Sequence, residues 1–193
     1  LNTSRAPFSN VSLRKAANFA VDRPAMLRVR GKYAGQRTDQ ILPPGMGGFR
    51  NAKIYPIHAA DYPKAKSVKG SANCGNVNLW TSNTPVGQQL GQTFKYNLEN
   101  SAGLGCKVDV KLFVGFAIYT AAGTKGADFD AIIAGWNQDY PDPYDFLDVL
   151  LNGNNIHESN NNNLAYFAHR FDLEVVEALE PKPGVIPSAS HLE

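Results

Sequence analysis

VNLWTSNTPVGQQLGQTFKYNLENSAGLGCKVDVKLFV, from Val77 to Val114, is the stretch that decides the fold. It opens on Val77-Asn78-Leu79-Trp80, a short strand candidate of apolar and β-favouring residues. Pro85 to Asn100 then carries Val86, Leu90, Phe94 and Leu98 at near-helical spacing. Cys106 to Val114 follows as a second, valine-rich strand. A strand, a helix and a strand in that order form a βαβ unit. Its connection crosses over the sheet, so the two strands should run parallel.

The alternation continues downstream. Phe116 to Ala122 reads as a short helix, and after a Gly-containing turn Phe129-Asp130-Ala131-Ile132-Ile133-Ala134 is an apolar run of the kind found in strands buried on both faces. Tyr144 to Leu151 is helical in pattern, Asn152 to Asn163 reads as an Asn-rich polar linker, and Phe171 to Leu179 reads as a helix stopped by Pro181 and Pro183. Upstream, Val11, Leu13, Ala16, Ala17, Phe19 and Ala20 predict a helix from about Asn10 to Val21. Ser9 or Asn10 would be its N-cap and Pro24 a boundary or a new first turn. Ala34 to Pro56 holds Gly35, Pro43, Pro44, Gly45, Gly47 and Gly48, too many breakers for regular structure, and reads as a long surface excursion. Asp61 then caps a short helix through Tyr62, Pro63, Ala65 and Val68. The expected architecture is an α/β domain, a mixed sheet with flanking helices.

With 193 residues, 43% of them hydrophobic, the chain is long enough to bury a core. Nineteen Lys and Arg against 17 Asp and Glu leave a net charge of +2 and no run of like charges, so no nucleic acid is expected as a partner. Val108 to Ala122, the most apolar stretch, is interrupted by Asp109 and Lys111 and is shorter than the roughly 20 apolar residues of a membrane span. Leu1 to Asn10 has neither a basic nor an apolar signal region, so a secretion signal would lie upstream. Ser190-His191-Leu192-Glu193 resembles a cloning scar before a purification tag, and residues 188–193 are set apart as a tail.

Three segments, in order, resemble the peptide-type (dipeptide, oligopeptide and nickel) family of solute-binding proteins that serve ABC importers. Leu1-Asn2-Thr3 followed by Pro7 to Arg23 looks like the family's strand-then-helix signature. Ile41-Leu42-Pro43-Pro44-Gly45-Met46 with Asp61-Tyr62-Pro63-Lys64-Ala65-Lys66 is similar to its proline-rich loop and following helix. Asp128-Phe129-Asp130-Ala131 leading to Gly135-Trp136-Asn137-Gln138-Asp139-Tyr140-Pro141-Asp142-Pro143-Tyr144-Asp145-Phe146-Leu147 resembles the segment that passes through the ligand cleft. The resemblance runs from Leu1 to about Leu179. It implies a periplasmic-binding-protein-like lobe, residues 1–187, that the family inserts between two segments of a larger lobe. The link after Lys66 is shorter than usual in the family, and no hinge-return segment follows Glu180. Since the family encloses its ligand between two lobes, this lobe would supply one wall.

The resemblance also implies roles. In peptide-binding members the carboxylate matching Asp139 pairs with the ligand's α-amino group, a charge-assisted contact worth about 1.5–3 kcal/mol. Spacing alone equally allows Asp139 to cap the helix begun near Pro143, a role that suits Asp142 better. Trp136, Asn137 and Tyr140 flank Asp139. Trp80, which like Trp136 ends a strand, is an aromatic wall or simply core. Asp139, Asp142, Asp145 and Asp148 recur every third residue, but Pro141 and Pro143 break the run and Asp145 and Asp148 are expected on the exposed side of a helix, so neither a calcium loop nor a metal site is expected. A glycosidase-type carboxylate pair has no positive support. The histidines His58, His157, His169 and His191 lack metal-ligand spacing, and no nucleophile elbow or phosphate loop occurs, so no catalytic residue and no cofactor are expected. In a family exported from the cytoplasm, Cys74 and Cys106, each just before a strand of the βαβ unit, start at one sheet end if the strands are neighbours. A disulfide is expected there, the alternative being two buried thiols.

The function implied is capture of short peptides, or of a related solute such as an oligosaccharide or nickel chelate, for delivery to a membrane-embedded ABC permease. The expected setting is extracytoplasmic, in the periplasm or lipid-anchored at the cell surface, and the expected state a monomer. A regulator that borrowed the fold as a sensor lobe is the competing binding reading, and a carboxylate-dependent hydrolase the enzymatic one.

Overall fold

The computed structural model describes residues 1–168. Helix α1 (Val11–Ala20) starts where the Asn10 side chain accepts from the Ser12 N–H at 2.8 Å, and it buries Leu13, Ala16, Ala17 and Ala20. Helix α2 (Arg23–Arg30) carries Pro24 in its first turn and is capped by Asp22, so Pro24 opens a new helix. The excursion that follows has no helix or strand and is anchored at the buried Leu42. Asp61 caps helix α3 (Tyr62–Lys69), whose buried Ala65 packs toward α1.

The deciding stretch folds as expected. Strand β1 (Asn76–Ser82), helix α4 (Pro85–Glu99) and strand β2 (Lys107–Phe113) form the βαβ unit, with β1 and β2 parallel and Val77 opposite Val108. Strand alternation sends Val77 and Leu79 into one core beneath α1, α3 and α4. Trp80 points into a second core with Ile118, Ala122 and Phe129, on the side of helix α5 (Ala117–Ala122). Helix α4 lies close on β1 because Gly87 and Gly91 leave room. A Cβ at Gly87 would collide with the Ser82 carbonyl oxygen, and one at Gly91 would meet Thr81 Cγ2 at 2.9 Å.

The apolar run at Phe129 to Ala134 is a shorter strand than expected. Strand β3 covers Ala131–Ile132 and pairs parallel with β1, which is therefore central in the order β2-β1-β3. Its ladder is extended by the bonds of Asp130 N–H to Asn78 O (2.9 Å) and of Ile133 N–H to Trp80 O (2.9 Å), beyond which Gly135 leads away. Both pairings are parallel, and the antiparallel member of a mixed sheet is not among the described residues. Leu1–Thr3, expected as a strand, is held by individual bonds instead: Asn2 N–H to Asp130 O at 2.8 Å and Thr3 N–H to Ala165 O at 2.8 Å. Arg5 bridges to Asp128 at 2.7 Å and lies 2.9 Å from the buried Asp130 Oδ1, without hydrogen-bond alignment.

Helix α6 (Tyr144–Leu151) matches its expected bounds, and a 3-10 turn (Gly153–Asn155) follows. The Asn-rich stretch is not a polar linker. Asn163 is fully buried and Asn161 nearly so. Asn161 Nδ2 donates to Gly123 O (2.7 Å) and His157 O (2.8 Å) while its Oδ1 accepts the His157 N–H (2.6 Å). An amide side chain carries both donors and an acceptor, so it can satisfy backbone groups of a loop that no ladder reaches. At the helix exit, Asp148 accepts from Asn152 Nδ2 at 2.6 Å and Asn155 Nδ2 at 3.0 Å. Desolvation would raise its pKa, but the bonds from Asn152, Tyr144 and Asn155 together outweigh it and hold the carboxyl below its ordinary value. The helix expected at Phe171 to Leu179 lies outside the described residues.

Cys74 and Cys106 are bridged, with Cα atoms 5.0 Å apart, as expected where neighbouring parallel strands begin at one sheet end. Closing a loop between cysteines 32 residues apart stabilises by about 3–4 kcal/mol in the chain-entropy account. Reduction should accordingly lower the melting temperature by about 10 °C, read by circular dichroism with and without reductant; coincident melts would remove the bridge. Asn161→Ala removes the side-chain partner of the His157 N–H and C=O and one of the two donors to the buried Gly123 O, which keeps the Asn161 N–H, and should destabilise by about 1–3 kcal/mol in urea titration. Because the folded pKa of Asp148 is depressed, its stabilisation is fully present above the ordinary carboxylate value of 3.8 and is lost as pH falls through and below it. Urea midpoints of Asp148→Asn should thus lie below those of the unmodified protein at neutral pH and converge with them in that acid range.

Candidate functional site

The three strands among the described residues run parallel, so their C-terminal ends share one sheet edge, where open α/β sheets place ligand-contacting loops. From that edge the chain leaves β3 and runs without regular structure from residue 134 to residue 143, where α6 begins. Two contacts fix this strap. The Tyr119 hydroxyl accepts the Gly135 N–H at 3.2 Å, at the strap's start. Farther along, one oxygen of Asp145, Oδ2, accepts both the Trp136 indole N–H and the Asp139 backbone N–H, each at 3.0 Å.

Asp145 is only 1% exposed, which corrects the expectation that it lies on the outer side of its helix. Helix α6 buries Asp145, Phe146 and Leu147 together, so its first turn faces the strap rather than solvent. Asp148, expected outside as well, is half-buried against Asn152 and Asn155. Asp142 serves the helix start: its Oδ1 accepts the Tyr144 N–H at 2.8 Å. Three of the four evenly spaced carboxylates, Asp142, Asp145 and Asp148, therefore have separate engagements. Among the described residues no group of three or more His, Cys, Asp or Glu could hold a metal ion.

The Asp139 carboxylate is exposed and takes no partner among the described residues. Asn137 and Tyr140 are exposed beside it, and Trp136 is half-buried. Desolvation, with smaller contributions from the charges of Asp145, Asp142, Asp139 and Asp148, holds the Tyr140 hydroxyl above its ordinary pKa. Trp136 borders a groove of about 390 Å³ lined also by Ile41, Phe146, Leu150, Asn161 and Leu164. The apolar walls come from α6 and Leu164, and the polar edge from the Asn-rich loop.

Trp80 is placed otherwise. It is 5% exposed, tilted against Phe113 and Phe129 at centroid distances of 4.6 and 5.3 Å, with the Lys111 ammonium 4.9 Å from its ring centre. Its position is that of a core residue, because strand alternation turns it under α5 instead of toward the strap. Sequence reasoning missed Asp145, Tyr119 and the Asn161 edge. The signal available for Asp145 was its place among apolar neighbours: Phe146 and Leu147 leave a helix face on which a carboxylate must find donors.

A family model described as bacterial extracellular solute-binding proteins, family 5 middle, matches residues 1–158. Heme-binding protein A of Haemophilus influenzae is 32% identical over 186 residues, covering 92% of this chain and 32% of that protein. A probable di/tripeptide-binding protein 5 of Pseudomonas aeruginosa is 25% identical over 155 residues, covering 76% of this chain and 28% of its own length. Among solved structures, a dipeptide binding protein from Pseudoalteromonas sp. SM9913 in complex with Met-Leu superposes with a TM-score of 0.77 at 25% identity, covering 94% of this chain and 36% of that one. The chain thus spans about a third of the length of the curated relatives it matches. The family and the fold are those of solute-binding proteins, not of enzymes, and no helix among the described residues is long and apolar enough to cross a membrane. This chain belongs to the bacterial extracellular solute-binding proteins of family 5.

Proposed function

We propose that this chain is one lobe of an extracytoplasmic receptor that captures short peptides and delivers them, without chemistry, to a membrane-embedded ABC permease. The observation that carries the reading is Asp139: an exposed carboxylate, free of partners among the described residues, on a strap whose backbone is pinned at that same residue. A carboxylate presented this way suits a cationic α-amine, because it need not give up an existing ion pair to bind one. The groove beside Trp136, apolar with an amide edge, suits a neighbouring side chain of the same ligand. A relative named for di- and tripeptides and a structural neighbour holding Met-Leu support peptides as the ligand class. Asn137 and Tyr140 complete the exposed surface around the amine, and a second lobe supplies the opposing wall.

Calorimetric titration of a pooled dipeptide and tripeptide library into the full-length receptor, with and without Asp139→Ala, tests this directly. Binding should weaken about tenfold or more in the variant. Equal affinity in both would remove the amine role from Asp139. No heat from either folded protein would turn the search to hemin, oligosaccharides and nickel chelates, and turnover of any substrate would reject a receptor without chemistry.

A further inference from the structure

We infer that Asp145 is a positioning residue of the ligand site, whose single oxygen Oδ2 sets both the Trp136 ring and the Asp139 carboxylate; the inference rests on the reading of Asp139 as the amine anchor. The strap from residue 134 to residue 143 has no ladder of its own, and a loop holds ligand groups accurately only when something rigid holds the loop. Asp145 supplies that hold. It sits in the first turn of α6, flanked by the buried Phe146 and Leu147, so its carboxylate is fixed by a packed helix rather than by the loop. Its Oδ2 reaches Trp136 Nε1 and Asp139 N, both at 3.0 Å, two bonds strengthened by the charge of the acceptor.

Helix capping does not explain this arrangement. The start of α6 is already served by Asp142, which takes the Tyr144 N–H, while Asp145 turns back across the strap to residues six and nine positions earlier. Nor is the buried carboxylate a substitute for core packing, since an apolar residue in its place would leave the indole N–H and the amide N–H without an acceptor. The two donors it gathers belong to the aromatic edge of the groove and to the residue bearing the exposed carboxylate. One buried charge therefore fixes the distance between the apolar and the cationic subsites, and its own field adds to the attraction for an amine.

The test uses the full-length receptor with Asp145→Ala and Asp145→Asn, a dipeptide pool, and the same pool N-acetylated. The readouts are the affinity ratio between free and acetylated pools and the ¹⁵N–¹H signal of the Trp136 indole, assigned by its loss in Trp136→Phe. Without Asp145 the preference for the free amine should fall about tenfold and the indole proton should move upfield. Asp145→Asn keeps an acceptor oxygen in place, so it should stay within about threefold of the original preference, with an intermediate indole shift. A full preference in folded Asp145→Ala overturns the inference while leaving the amine reading intact. No preference in the unmodified receptor rejects the amine reading, and the positioning of Asp139 with it. Should Asp145→Ala not fold, Asp145→Asn decides alone: a measurable indole displacement with a reduced preference supports the role, and an unchanged signal with an unchanged preference overturns it.

Discussion

Parallel pairing of β1 with both of its neighbours is the constraint on which the rest of the molecule depends. Because β1 is central, each of its faces must be covered, and its alternation divides the core into the cluster of Val77 and Leu79 under α1, α3 and α4 and the cluster of Trp80 beside α5. Because both pairings are parallel, the strands finish at one edge, and the chain leaving β3 has to cross that edge before it can turn into α6. The same geometry starts β1 and β2 side by side, which is why Cys74 and Cys106 meet. The close seating of α4 at Gly87 and Gly91 holds the unit together at the opposite end of β1.

From this frame the site inherits one rigid side and one irregular side. Helix α6 is rigid and brings a buried carboxylate; the strap is irregular and brings an aromatic ring, an exposed carboxylate and two prolines. Asp145 joins the two by accepting from both parts of the strap at once. Buried charges are tolerated when hydrogen bonds stand in for the water they have lost, and here the donors that do so are the Trp136 indole and the Asp139 amide of the strap. The Asn-rich loop does comparable work with neutral amides, closing the second core near Gly123 and edging the groove with Asn161.

Much of this was legible in the residues. The ends of α1 and α3 follow from Asn10 and Asp61, side chains that bond to backbone two or three positions away, so the information is local. The parallel βαβ unit follows from periodicity and the length of its connection. What stayed hidden depends on partners far along the chain. Asn161 was read as linker because nothing near it in sequence announces Gly123, 38 positions earlier, as the group it satisfies. Trp80 was a candidate wall because a strand end does not reveal which face is covered by α5 and Phe129.

By itself the amino-acid sequence determined the class of fold, the βαβ unit, the cap at Asp61 and the bounds of α6, because periodicity, capping and crossover length act over short separations. Tertiary structure alone decided which of the four evenly spaced carboxylates turns inward. Asp139, Asp142, Asp145 and Asp148 are alike as residues; only the packing of α6 against the strap and the excursion at Leu42 buries Asp145, occupies Asp142 and Asp148 with local donors, and leaves Asp139 facing outward. Burial is a property of surfaces brought together from distant parts of the chain, and no spacing rule within one segment contains it.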